Sequence, residues 1–222
     1  ASLIDYAVGG AQTGAGGILT QIAQYGASLS GKVALASSAS TLYFVWGGPN
    51  DFYAGNNVFV PSTATTAANN LKTGITSLYN LGARDFFVPL MPDLGLTPSA
   101  LKTEVSVPGY ASAARADSLS FNSLLTSNLQ TLSATLPGIH IYSFDTLSYL
   151  REQIVSHAAQ GFDVTDACYS GSFKSAGSVC ADPDQYLFWD GVHPTAIAHA
   201  LIGQAFINAL PVPEPGSWAM LL

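Results

Sequence analysis

The feature that most constrains this chain is a series of short apolar runs without polar alternation, each followed by a helical pattern. Thr41–Trp46 reads Thr-Leu-Tyr-Phe-Val-Trp and Asp85–Leu90 reads Asp-Phe-Phe-Val-Pro-Leu; less continuous, Ser2–Val8 reads as a short apolar strand and Ile139–Phe144 as a fourth strand. Strands this continuous are covered on both faces, as in parallel sheets, whereas half-exposed strands alternate. Between them lie helical patterns at Ile18–Leu29, Ala64–Leu81, Ala111–Leu136, Leu147–Ala159 and Ala196–Leu210. In the second of these, Leu71, Ile75, Leu78 and Leu81 form one stripe. Alternating strands and helices predict an α/β domain with a parallel sheet covered on both faces. At 222 residues the chain suffices for one such domain with a sizeable core.

Composition excludes one large class of partner. Only 9% of residues are charged, the net charge is −7, and Lys and Arg occur singly, with none after Lys174. No basic cluster exists to neutralise phosphates, so nucleic acid is not an expected partner. Cys168 and Cys180 share a Gly/Ser-rich segment. Two thiols without clustered His make a poor zinc site; in an exported protein they read as a local disulfide, with free thiols as the alternative.

The segment with most chemistry is Asp190-Gly191-Val192-His193-Pro194-Thr195, at the junction of an apolar run and the last helix. A carboxylate this close to an imidazole holds its tautomer and stabilises the imidazolium formed in general-base work. A capping Asp beside a surface His is the plainer reading. Two glycine-bearing turns follow strand-like runs: Gly9-Gly10-Ala11 after Ser2–Val8, and Gly47-Gly48-Pro49-Asn50-Asp51 after Thr41–Trp46. The first matches neither a phosphate loop nor the dinucleotide glycine spacing. The second places an Asn at the carboxyl end of a strand, where open α/β sheets bind ligands.

These residues resemble the GDSL family of SGNH hydrolases, in its bacterial lipase- and esterase-like branch. Asp5–Ala11 is similar to that family's second block, Gly48-Pro49-Asn50-Asp51 to its third, and Asp190–Pro194 to its fifth. Phe121-Asn122, Val164–Cys168 and Asp184–Trp189 also look like this branch. The resemblance implies a three-layer α/β/α SGNH (flavodoxin-like) fold over residues 1–210, with sheet order 2-1-3-4-5. It implies an esterase or lipase working through an acyl-enzyme, with Asp190 and His193 moving protons and with the Gly10 N–H and Asn50 amide donating to the oxyanion. No metal or organic cofactor is implied. The expected partner is an acyl-ester substrate, lipids included, hence a serine hydrolase of carboxylic esters. Rival expectations are a carbohydrate O-acetyl esterase, an acyltransferase to an alcohol, and a non-catalytic surface-binding protein on the same fold.

The family's first block, Gly-Asp-Ser-Leu with the nucleophile, is expected upstream of the Gly10 loop, and this chain begins after it. The expectation is therefore a chain cut before its serine and its first central strand, inactive by itself, with Ser2–Val8 and Thr41–Trp46 unpaired or re-paired. Ala116-Asp117-Ser118-Leu119 nearly spells the missing block, but it sits in a helical pattern and reads as a solvated helix face. Residues 211–222 form a separate tail. Val212-Pro213-Glu214-Pro215, followed by Gly216–Leu222, resembles the start of the PEP-CTERM sorting signal of Gram-negative bacteria, which implies export with possible membrane or cell-surface sorting. Among the remaining residues, His140 and His157 read as surface positions and His199 as structural. Asp93 reads as a turn residue, and Trp189 as core or as a shield for Asp190.

Overall fold

A computed structural model describes residues 3–29, 41–172 and 174–211. Three parallel strands form the main sheet in the order β1 (Leu42–Phe44), β2 (Asp85–Pro89), β3 (His140–Phe144). A second, two-stranded parallel sheet joins β4 (Asp163–Ala167) to β5 (Tyr186–Phe188). The helices are α1 (Ile18–Leu29), a short α2 (Pro49–Tyr53), α3 (Ser62–Asn80), α4 (Pro98–Ser106), α5 (Tyr110–Thr135), α6 (Thr146–Ala158) and α7 (Ala196–Ala209). The expected α/β class with parallel sheets holds. The five predicted helices fall within two residues of their observed ends, whereas α2, α4 and the β4–β5 pair were not anticipated.

Alternation along β2 explains the layering. Phe86 and Val88 point into the main core with Leu71 and Ile75 of α3 and Phe121 and Leu125 of α5. Phe87 points the other way, its ring 5.3 Å from that of Phe206 on α7, which also meets Phe44 and Phe144. The two layers are unequal. The α3–α5 side holds most of the buried apolar side chains, whereas on α7 only Ala198 is buried.

Two strand expectations are corrected. Ser2 lies outside the described residues, and Leu3–Val8 joins no ladder among the described residues; Leu3 is 91% exposed and Ile4 71%. The expected strand Thr41–Trp46 shrinks to Leu42–Phe44, with Leu42 and Phe44 exposed, because β1 pairs with β2 alone among the described strands. Hydrophobic sequence suits a buried strand, but a ladder also needs a neighbour on each side. The two segments have not re-paired with each other. The tail from Val212, with its sorting motif, lies outside the described residues.

Cys168 and Cys180 are joined in a disulfide, which removes the free-thiol alternative. The loop it closes runs back onto β5, Cys168 N–H donating to Phe188 O and Tyr169 N–H to Trp189 O. Trp189 is not a core residue: it is exposed and stacks flat on Tyr169, ring centroids 5.5 Å apart.

Helix α5 carries a group in an unfavourable place. One carboxylate oxygen of Asp117 is buried without a hydrogen-bond partner among the described residues, and burial pushes the acid up to about 6. The folded state therefore favours the protonated form, and stability drops as pH rises from the ordinary carboxylate value through about 6. Asp117→Asn is expected to melt higher than the parent at about pH 7.5, with the gap closing towards about pH 4. Thermal melts across that range check this; a constant gap would contradict it.

Candidate active site

The Asp190–His193 loop is a tight connection between β5 and α7. Trp189 N–H donates to His193 O and Thr195 N–H to Leu187 O, while the Thr195 hydroxyl donates to Tyr186 O. Thr195 also caps α7, its hydroxyl accepting from Ala198 N–H. Within this frame Asp190 Oδ1 accepts the N–H groups of Val192 (2.9 Å) and His193 (2.8 Å). Nδ1 of His193 lies 2.9 Å from Oδ2 and 3.0 Å from Oδ1. Burial by itself would push the Asp190 carboxyl up; the two backbone N–H groups and the imidazole outweigh it and hold the group below its ordinary value. A carboxylate kept ionised this way fixes the proton on Nδ1 and leaves Nε2 able to accept one.

Two further segments meet this loop around one cavity of about 360 Å³, lined among others by Gly10, Asn50 and His193. Gly10 stands at φ 78°, in the left-handed region. Asn50 is in the first turn of α2, which Gly48 starts at φ 125°; a Cβ on Gly48 would come within 2.8 Å of the Phe121 ring. Asn50 Nδ2 donates to Ala11 O at 3.1 Å, which brings its amide beside the Gly10 turn. The four residues expected at the site are thus gathered from segments up to 183 positions apart, the span from Gly10 to His193. Among the described residues, no serine or cysteine lines the cavity.

The walls differ in character. Leu94, Thr97, Thr146, Leu187 and Phe188 are buried, whereas Val8 and Trp46 on the side of the outer strand are exposed. The buried wall is anchored by features not evident in the sequence. Asn122 makes two bonds to the backbone of Met91, at 2.7 and 2.8 Å. Asp93, fully buried, accepts from Arg115 of α5 and Arg151 of α6, the shortest contact being 2.7 Å. The turn role expected of Asp93 is also present, since its other oxygen accepts from Gly95 N–H. Tyr53, one turn beyond Asn50, lines the cavity too; burial pushes its phenol up, so it stays a donor.

Ser118 is placed differently from expectation. It is fully buried, not solvated, and its hydroxyl accepts from Leu94 N–H while donating to Ala114 O. It does not line the cavity. His199 is exposed and its ring N–H donates to Thr195 O; His140 is exposed beside Asp85. His157 is half-buried, against Phe162.

The sequence profile of the GDSL-like Lipase/Acylhydrolase family matches residues 2–206. The chain belongs to the GDSL-like lipase/acylhydrolase family. Relatives include a GDSL esterase/lipase of Arabidopsis thaliana, 30% identical over 76% of this chain and 51% of that protein. Another from the same plant is 28% identical over 88% of this chain and 56% of its own length. A third, the anther-specific proline-rich protein APG, is 32% identical over 67% of this chain. This GDSL-family chain spans about half the length of the first two.

Proposed function

We propose that this GDSL-family chain is part of a carboxylic ester hydrolase that works through a serine acyl-enzyme. The observation that carries the reading is the convergence of His193 with its Asp190 partner, Gly10 and Asn50 on one cavity. In this reading His193 Nε2 takes the proton of a serine hydroxyl as its oxygen attacks the ester carbonyl, and returns it to the departing alkoxide. The Gly10 N–H and Asn50 amide receive the negative charge of the tetrahedral intermediate. Water then repeats the sequence on the acyl-enzyme.

The serine is proposed to lie outside these 222 residues, on a strand beside β1, and the fragment alone is expected to turn over no ester. The apolar wall of Leu94, Leu187 and Ile202 favours acyl chains over the acetyl groups of carbohydrates. A bacterial origin, export and sorting through the Pro213-Glu214-Pro215 tail complete the proposal, supported by the disulfide and the low charge. Expression of the complete reading frame and assay on 4-nitrophenyl butyrate test the enzymatic reading. Turnover is expected; a complete protein with no ester hydrolysis would leave the non-catalytic binding reading in its place.

A further inference from the structure

The two oxyanion donors sit on separate segments, and backbone pairing does not join them. Among the described residues, the backbone of Gly9–Gly14 makes backbone–backbone bonds only to near neighbours in sequence, such as Ala11 N–H to Val8 O. What ties this loop to α2 is side chains. Asp51, immediately after Asn50, accepts from Thr13 twice: the backbone N–H reaches Oδ2 at 3.0 Å and the hydroxyl reaches Oδ1 at 2.7 Å. Asn70 of α3 donates to the same hydroxyl at 3.0 Å, which leaves the Thr13 proton to point at Asp51. Thr13 is fully buried, in a loop otherwise made of Gly, Ala and Gln.

We propose that Thr13 and Asp51 are positioning residues of the oxyanion hole, with Asn70 orienting Thr13. The inference rests on the ester-hydrolase reading above. A two-point bond to a carboxylate fixes both distance and orientation, and charge assistance makes it stronger than a neutral pair. Thr13 lies three residues after Gly10 and Asp51 one after Asn50. The clasp therefore sets the separation between the Gly10 N–H and the Asn50 amide, the quantity on which charge stabilisation depends. Burial pushes the Asp51 carboxyl up and the Thr13 bonds pull it back, so each partner sustains the other. An error of about 1 Å in such a site costs about 10²-fold in rate.

The test uses the protein from its complete reading frame and a 4-nitrophenyl ester. Thr13→Val keeps the shape and removes the hydroxyl donor. Its kcat is expected to drop by about 10–10²-fold with KM within about two-fold. Thr13→Ser, which restores the hydroxyl, is expected to recover most of the rate. Thr13→Val with a lower melting temperature but parental kcat per folded molecule would show a structural tie only and overturn the proposal. If Thr13→Val does not fold, Asn70→Ala decides. A several-fold loss of kcat at constant KM supports the clasp, and unchanged kcat overturns it. His193→Ala, run alongside, separates the two levels: if it keeps turnover, the ester-hydrolase reading fails and takes this proposal with it. If it is inactive while Thr13→Val is not, only the clasp fails.

Discussion

His193→Ala, made in the protein from its complete reading frame, is expected to lower ester turnover by about 10²–10⁴-fold, the range a positioned general base supplies. The expectation follows from where the proton is held. Asp190 accepts three hydrogen bonds, two from backbone and one from the ring, and the carboxylate they stabilise keeps Nδ1 protonated. In the proposed mechanism the working nitrogen is then Nε2, and alanine removes it. Stability should change little, because the His193 side chain is 58% exposed and contributes no core packing. The Asp190 bonds do contribute stability: the folded group sits below its ordinary value, so this contribution is present above the ordinary carboxylate range and is lost as pH drops through the folded value. Steady-state kinetics beside a thermal melt separates loss of chemistry from loss of fold.

Asn50→Ala is expected to reduce kcat by about 10²–10³-fold while KM stays nearly constant, because in the proposed mechanism the amide meets a charge that exists only after attack. The substitution also removes the bond to Ala11 O, which frees the Gly10 turn on one side. Asn50→Asp loses the same bond, since a carboxylate cannot donate to Ala11 O. It keeps the shape but replaces the amide donors with a carboxylate, and it is expected to be at least as damaging. A loss confined to KM in both variants would mean that Asn50 binds substrate and not the oxyanion. The Thr13–Asp51 bonds remain in either variant, so the loop is not expected to detach.

Much of this architecture was legible because local sequence and tertiary environment agree. Phe86 and Val88 lie in an unbroken apolar run and are buried on β2; Leu71, Ile75 and Leu78 repeat at helical spacing and are buried on α3. Asp190 and His193 could be paired from sequence because they lie three residues apart and the loop between them is short. Leu3–Val8 shows the limit of the same reasoning, since apolar composition suggests a strand where, among the described residues, no neighbour completes a ladder. Polar partners distant in the chain left little local signal. Asp93 meets Arg151 across 58 positions, and Thr13 meets Asp51 across 38. A threonine inside a glycine-rich loop was the one available hint, and its burial became visible only once α2 and α3 were placed beside it. Ser118 was misjudged for a related reason: the turn after β2 folds over α5 and covers a face that the helical pattern alone leaves open.

Asp190 and His193 are proposed to activate a serine that is not among the described residues lining the cavity. Labelling the protein from its complete reading frame with a fluorophosphonate, followed by peptide mass mapping, tests this proposal most directly. The account predicts one labelled serine, outside the present sequence, with labelling lost in His193→Ala. A label on Ser118, or ester turnover with no labelled serine at all, would contradict it.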